Sequence, residues 1–247
     1  MRITINEKKV RRQTLIGRIA LYGSLAILLG GVLLSLFGQR IGLLNPDNLG
    51  LFYALYIGIL VAGFGLSRVG MHYGNRYLTP MRPERVLRDH LKGLDRKYAL
   101  MLFQLPVDYV LVEPGGVTVL IVKAQGGPVA YKGGRWSRRE SIFRQWFGRE
   151  EPLGNPTGDA TEALASINEI LVQKLPTLKI PQRAIIIFSD PGAQLDVEPS
   201  PIPVLRADGL KDYLRGEGKW KELPASIQRQ MREALGAPPV EKLESSQ

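Results

Sequence analysis

The chain has 247 residues, a net charge of +10, 45% hydrophobic residues and 23% charged residues. This composition excludes disordered and collagen-like chains. The chain contains no cysteine and only two histidines. This content excludes disulfide scaffolds, zinc ribbons, iron–sulfur clusters, cysteine nucleophiles and three-histidine metal sites.

Most of the positive charge lies beside apolar segments. Residues 1–68 contain eight basic and two acidic residues, which gives +6, so the remaining residues contribute only +4. Membrane topology therefore accounts for the excess of positive charge before nucleic-acid binding does.

Two uncharged apolar stretches predict membrane-spanning helices at residues 19–38 and 49–67. Each has about the 20 residues that a helix needs to cross the hydrocarbon core of a bilayer. The first stretch follows a basic leader, residues 1–18, but no small-residue cleavage site of the kind found in signal peptides comes after it. We therefore interpret it as an uncleaved anchor.

The distribution of charge predicts the orientation of this helical hairpin. Basic residues precede the first span and follow the second, whereas the connecting loop at residues 39–48 holds one arginine and one aspartate. The positive-inside rule then predicts a protein of the inner (cytoplasmic) membrane with both termini in the cytoplasm and the loop outside. The lipid bilayer is thus the first expected partner. Small residues spaced four apart, such as Gly63 and Ser67, suit close helix packing within or between chains.

A linker at residues 68–82 leads into a predicted α/β domain at residues 83–215, followed by a C-terminal helix and a loose tail at 216–247. Turn residues and apolar periodicity separate the elements of this domain. Strands are predicted at residues 98–103, 107–113, 117–123, 128–132, 184–188 and 204–205. Helices are predicted at residues 83–94, 159–175, 208–214 and 225–235, and residues 135–156 are predicted to be irregular.

Two charged residues stand out on the predicted hairpin at residues 107–123. Asp108 opens one apolar strand and Lys123 ends the other, on faces otherwise occupied by valine and isoleucine. They are either strand-end residues that reach solvent, or a carboxylate and a lysine that converge at one end of the hairpin. In the second case a metal ion and a phosphate group would meet there.

The stretch DYVLVEPGGVTVLIVKAQGGPVAYKGGRW, residues 108–136, resembles the signature of the nuclease-related domain (NERD) family. That family has the restriction-endonuclease-like PD-(D/E)XK fold, and the resemblance covers roughly residues 82–215. It implies a mixed-sheet cytoplasmic domain behind the transmembrane hairpin. It also implies Mg²⁺ as the cofactor and nucleic acid as the substrate.

Carried over residue by residue, the resemblance assigns Glu84, Asp108 and Lys123 to the catalytic positions, with Asp108 and Glu84 as metal ligands. The glutamate of the family's Glu-x-Lys motif is replaced by Ile121, which cannot bind a hard cation such as Mg²⁺. A carboxylate of the long helix, Asp159 or Glu162, is a candidate replacement. The departure puts metal-dependent cleavage in question.

Cationic and aromatic side chains alternate in the segment that follows. This segment contains Lys132, Arg135, Trp136, Arg138, Arg139, Arg144 and Trp146. Such a pattern suits stacking on the bases of a single strand, contact with an anionic membrane surface, or a solvated loop with one tryptophan docked on the core.

Three functional hypotheses follow. The first is a membrane-anchored, NERD-like module with a degenerate nuclease site that binds nucleic acid or a protein partner. The second is an active Mg²⁺-dependent nuclease with a relocated carboxylate. The third is a membrane adaptor for which nucleic acid is irrelevant. Fold-level resemblance alone does not choose among them, because function depends on the site.

Overall fold

The computed structural model describes residues 1–38, 40, 49–77, 83–138 and 152–240. The chain divides into two compact units: residues 8–82 form a helical unit, and residues 1–7 together with 83–247 form an α/β domain. The predicted α/β class is confirmed, as are the two long apolar helices near the N-terminus.

The helical unit consists of α1 (Glu7–Phe37) and α2 (Leu49–Tyr77). Both are long and apolar enough to cross a membrane, and large apolar side chains such as Leu36 and Leu51 are 67% and 71% exposed. The helices continue past the predicted spans into residues 7–18 and 68–77, since no proline interrupts either segment. The part of the predicted linker at residues 68–77 is therefore helical.

Glycines bring α1 and α2 into close contact. A Cβ atom at Gly70 would lie 2.9 Å from the backbone nitrogen of Leu21, and one at Gly17 would lie 2.8 Å from the Cβ atom of Tyr73. Gly63 meets Leu28 in the same way, whereas Gly58 has no atom within 4 Å of such a Cβ position. Of the small residues that the sequence suggested for packing, Gly63 thus serves contact within the hairpin.

A six-stranded mixed sheet with the order β1-β2-β3-β4-β7-β9 forms the centre of the α/β domain. Its strands are β1 (Arg2–Ile5), β2 (Ala99–Leu102), β3 (Tyr109–Glu113), β4 (Gly116–Lys123), β7 (Gln182–Phe188) and β9 (Val204–Arg206). The β2-β3 and β3-β4 pairs are antiparallel, and the other three pairs are parallel.

The first strand was not anticipated from the sequence. Arg2 to Ile5 pair in parallel with Ala99 to Leu102, although the sequence analysis assigned residues 1–18 to a leader. The chain therefore contributes one strand to the sheet before the two apolar helices and all the others after them.

A second, three-stranded sheet has the order β6-β5-β8, with β5 (Gly127–Lys132), β6 (Arg135–Arg138) and β8 (Ala193–Val197). Strand β6 lies where the sequence predicted irregular structure. Gly133 and Gly134 have φ angles of 54° and 77°, which suits the two-residue turn that joins antiparallel strands. The adjacent glycines were the signal for this hairpin.

The helices of the domain are α3 (Pro83–His90), α4 (Pro156–Lys174), α5 (Leu210–Arg215) and α6 (Ala225–Leu235). Helix α4 begins three residues before its predicted start because the side chain of Asn155 accepts a hydrogen bond from the amide of Gly158 and Pro156 follows at the first helical position. Helices α4 and α6 cover one face of the large sheet and enclose the larger core.

Part of the predicted loose tail is held against the domain. Ala237 is buried, Arg232 donates to the carbonyl oxygen of Pro238 at 3.0 Å, and Arg2 donates to that of Pro239 at 2.8 Å. Residues 241–247 lie outside the described residues.

Candidate functional site

The predicted catalytic positions of the β-hairpin lie on the face of the sheet that α4 covers. Val110 pairs with Val119, and both belong to the core that contains residues of α4. Continuing this antiparallel register by two residues brings Asp108 opposite Ile121, so the family's two carboxylate positions are neighbours. Only one of these positions carries a carboxylate.

Asp108 is fixed by the loop that joins β2 to β3. Its carbonyl oxygen accepts a hydrogen bond from the amide of Phe103 at 2.8 Å. Phe103 has a φ of 59°, a left-handed conformation that is unusual for a bulky residue. This strained turn lets the loop close at the edge of the candidate site.

Lys123 forms an ion pair with Asp159. The sequence analysis named Asp159 as one of two candidates to replace the missing carboxylate. The Nζ atom of Lys123 lies 2.7 Å from Oδ2 of Asp159, and the two side chains are 16% and 48% exposed. Asp159 stands in the first turn of α4, where a carboxylate also interacts favourably with the helix dipole. Helix α4 therefore supplies a carboxylate beside the lysine, on the same face as Asp108.

This pair lies at the carboxyl ends of two parallel strands. Strands β4 and β7 run in parallel with Lys123 opposite Phe188, and the amide of Ser189 donates to the carbonyl oxygen of Lys123 at 2.8 Å. Ligands of open α/β sheets bind at this end of parallel strands. The geometry thus favours a ligand site around Lys123.

Glu84 lies on a helix that belongs to a different part of the domain. It is half-buried in the first turn of α3, and α3 packs against the short turn at Ala207–Gly209. Within the described part of the chain, the core around Lys123 includes no residue of α3. The structure brings Lys123 together with Asp159.

The donor set fits Mg²⁺ poorly. Mg²⁺ needs an octahedral shell of oxygen ligands, usually with one or two carboxylates beside phosphate and water. Among the described residues, no group of three histidine, aspartate or glutamate side chains is placed to hold a metal ion. Ile121 stands where the resemblance predicts a carboxylate, and Asp159 is engaged by Lys123.

Trp136 is docked on the core of the small sheet. Its ring lies 4.9 Å from that of Tyr131 and 6.1 Å from that of Phe188, and its Nε1 donates to the hydroxyl of Thr157 at 2.8 Å. This tryptophan links β6 to the start of α4. Such contacts leave little of the ring for stacking on a base.

Two of the cationic side chains of β5 and β6 have partners within the domain, and a third is exposed. Arg138 donates to the carbonyl oxygen of Gly126 at 2.9 Å, and Lys132 lies 2.6 Å from the carboxylate of Asp196. That carboxylate raises the pKa of Lys132 through a hydrogen bond. Arg135 is exposed. The other predicted contact residues, Arg139, Arg144 and Trp146, lie outside the described residues.

A shallow groove of about 770 Å³ runs over the small sheet. Small side chains such as Ala130 and Ala193 line it, and Lys132, Asp196 and Arg206 add charge. The groove lies beside the cationic segment, at a part of the domain that the family resemblance does not use for chemistry.

The opposite face of the large sheet contains a buried ion pair that the sequence analysis missed. Arg183 donates to both carboxylate oxygens of Glu113, at 2.8 and 3.0 Å, and Thr118 donates to the same carboxylate. The rings of Trp220 and Tyr213 lie 4.4 and 5.6 Å from the guanidinium carbon. Burial raises the pKa of Glu113, while the Arg183 charge and both hydrogen bonds oppose that rise.

This second cluster is structural rather than part of the candidate site. Glu113 is 2% exposed, so its carboxylate is closed to ligands, and Trp220 covers the turn at Gly116 so tightly that a Cβ atom there would lie 1.9 Å from the indole.

Comparisons with protein-family models, with curated proteins and with solved structures found no match for this chain.

Proposed function

We propose that the chain is a membrane-anchored, NERD-like protein of restriction-endonuclease-like fold whose degenerate nuclease site binds nucleic acid without cleaving it. The observation that carries the proposal is the pairing of Lys123 with Asp159 beside Ile121. A cation is retained where the fold would contact a phosphate, whereas the pair of carboxylates needed to hold a metal ion is not.

The anchoring part of the proposal rests on two observations. Helices α1 and α2 are long and apolar enough to cross a membrane. Strand β1 precedes both helices and strand β2 follows them, yet the two pair in one sheet, so residues 1–7 and the domain lie on one side of any membrane that the hairpin spans. With the charge asymmetry, this supports an inner-membrane protein with both termini in the cytoplasm.

Binding is tested with the full-length chain in detergent micelles or nanodiscs. We expect single-stranded or double-stranded DNA to bind with an affinity that falls steeply with salt, because phosphate contacts release counterions. Lys123→Gln should weaken binding, and Asp159→Asn should strengthen it by removing the carboxylate that pairs with the lysine. Glu169→Gln, which removes an exposed carboxylate about three turns further along α4, is the matched control and should leave binding unchanged.

An active nuclease is the second candidate, and the position of Asp159 favours it. This carboxylate lies next to Lys123, in the first turn of the helix that covers the hairpin, which is where a relocated ligand would be needed. Asp108 and Asp159 would then hold Mg²⁺, and the ion would polarise the scissile phosphate. Cleavage with Mg²⁺ or Mn²⁺ that is lost in Asp108→Asn and in Asp159→Asn, but kept in Glu169→Gln, would replace the leading proposal with this one.

The absence of both cleavage and DNA binding in the full-length chain would reject both nucleic-acid functions. The domain would then be a membrane adaptor that acts through a protein partner.

A further inference from the structure

We propose that the basic end of the helical hairpin binds the headgroups of anionic phospholipids, so that the protein selects these lipids from the surrounding bilayer. This inference rests on the membrane anchoring proposed above. The surface concerned, called the basic collar, consists of residues 8–18 of α1 and 68–77 of α2. The first segment contains five lysine or arginine residues, the second contains two, and neither contains aspartate or glutamate.

The packing of the hairpin brings the two segments together. The contacts of Gly17 with Tyr73 and of Gly70 with Leu21 set α1 and α2 antiparallel, with Arg18 and Arg68 within about 6–7 Å of each other along the hairpin axis. Both segments are helical throughout. The cations of the two helices therefore lie at the same end of the hairpin.

The cations avoid the contact between the helices. On α1 the buried positions near the collar are Gly17, Ala20 and Ser24, whereas Lys8, Arg11, Arg12 and Arg18 are exposed. On α2, Arg68 is exposed and its guanidinium group lies 5.2 Å from the ring of Phe64 on the same helix. The exposed cations thus face outward, towards whatever surrounds the hairpin.

The dipole of α1 disfavours cations at this end of the hairpin. The N-terminal end of a helix carries a partial positive charge, so cations in the first turns are unfavourable there. Lys8 nevertheless lies in the first turn of α1 and Arg12 in the second. A bound anion would offset both the dipole and the clustered side-chain charges.

The position of the collar favours lipid phosphate over nucleic-acid phosphate. Arg18 and Arg68 border the uncharged stretches at residues 19–38 and 49–67. At 1.5 Å per residue, Arg18 and Arg68 lie about 6–7 Å apart along the hairpin, which fits the thickness of about 5–8 Å of one headgroup layer. Arg18 and Arg68 are therefore at headgroup level, with Arg12 about 9 Å from Arg18 on the outer side of that layer, and a nucleic acid would be repelled there by an anionic bilayer surface.

The test uses the full-length chain in nanodiscs that contain equal amounts of phosphatidylcholine and phosphatidylglycerol, with native mass spectrometry to count the lipids retained. We expect the wild-type chain to retain phosphatidylglycerol preferentially. The triple variant Arg12→Gln, Arg18→Gln, Arg68→Gln should lose at least tenfold of this preference, since about 1 kcal/mol per cation near an anionic surface corresponds to about fivefold per residue. The matched control, Lys179→Gln, Lys219→Gln, Lys221→Gln, removes three exposed charges from the domain and should keep the preference.

Each contrary outcome has a distinct meaning. Release of the wild-type chain from membranes by alkaline carbonate would overturn the anchor and the collar together. Retention in the membrane with equal binding of the two lipids, or an unchanged preference in the triple variant, would overturn the collar alone. A triple variant that loses single-stranded DNA binding while keeping its lipid preference would reassign the collar to nucleic acid.

Discussion

Two ion pairs of the domain differ in what they do for the protein because they differ in exposure. Lys123 and Asp159 are 16% and 48% exposed, so solvent and a ligand can reach this pair from the side of the carboxylate. Glu113 and Arg183 are 2% and 13% exposed, and there removal of one partner leaves a charge in a poorly solvated place. Function is therefore sought at the first pair and stability at the second.

Glu113 gives the domain a pH dependence with a definite sign. Burial raises the pKa of Glu113 above its ordinary value of 4.5, so the folded chain holds this proton more tightly than the unfolded chain does. The contribution to stability is fully present below pH 4.5 and is lost as the pH rises through the raised, folded-state pKa. In Glu113→Gln this part of the pH dependence should disappear.

The measurement is urea unfolding of the wild-type and Glu113→Gln chains between pH 4 and 8, in the same detergent. We expect the stability of the wild type, relative to the variant, to decrease as the pH rises. An increase over this range would mean that the Arg183 charge outweighs burial and that the folded-state pKa is lowered.

The sequence was sufficient to predict the buried face of the hairpin. Strand periodicity placed Val110 and Val112 on one face of their strand and Val117 and Val119 on one face of theirs, and all four belong to one core. The pairing of Lys123 with Asp159 was not predictable, because it depends on the residue at which α4 starts and on the rotation of that helix over the sheet. The Glu113–Arg183 pair joins residues 70 positions apart, a separation that no local pattern reveals.

At the scale of elements, the N-terminal cap of α4 is coupled to the candidate site, because Asp159 stands in the first turn of that helix. The side chain of Asn155 accepts a hydrogen bond from the amide of Gly158 at 3.2 Å, and Asp159 is the next residue. A loosened first turn would therefore move the carboxylate that pairs with Lys123.

Asn155→Ala should lower stability by about 1 kcal/mol, because the helix loses its N-cap, whereas Asn155→Ser should be nearly neutral since serine also caps. For a chain of this size the alanine variant should melt about 2–4 °C lower. Thermal unfolding of the full-length chain followed by circular dichroism measures both variants. Equal melting temperatures for alanine and serine would show that the cap contributes nothing.

The hairpin offers a similarly matched pair of glycines. At Gly70 an added methyl group would meet the backbone of Leu21 at 2.9–3.0 Å, whereas at Gly58 it would meet nothing within 4 Å. Backbone cannot move aside cheaply, so Gly70→Ala should cost about 1–3 kcal/mol, while Gly58→Ala should be neutral or slightly stabilising, since alanine favours the helix. Melting of both variants in one detergent checks this, and equal behaviour would contradict the packing of α1 on α2.

Length and strength of pattern decided which elements were predictable. The two apolar helices were identified by long uncharged stretches, and α6 was predicted with its observed bounds, Ala225–Leu235. Strands β1, β6 and β8 are only partly buried along their length, and they were missed, whereas the equally short β2 is buried throughout and was predicted. A partly polar strand is stabilised by its partner, and the partner of β1 lies nearly 100 residues away along the chain.

For the whole molecule, the most consequential of these strands is β1. Because it precedes the apolar helices and pairs with a strand that follows them, the sheet is complete only when both ends of the hairpin are on the same side of a membrane. The amides of Arg2 and Asn6 donate to carbonyl oxygens of Tyr98 and Leu102, so β1 covers an edge of β2 that would otherwise be open. The domain therefore includes chain from both sides of the hairpin.

A soluble fragment that begins at residue 83 should therefore be a poor substitute for the full-length protein. Its strand β2, whose four residues are at most 1% exposed, would become an open apolar edge, and such edges promote association. We expect residues 83–247 to aggregate, and a fusion of residues 1–6 to residue 83 through a flexible Gly/Ser linker to be monomeric. The same fusion with Thr4→Pro should behave like the bare fragment, since the amides of alternate residues of β1 face β2 and proline has none. Light scattering after size-exclusion chromatography compares the three proteins, and a monomeric, equally stable bare fragment would show that β1 is dispensable to the sheet.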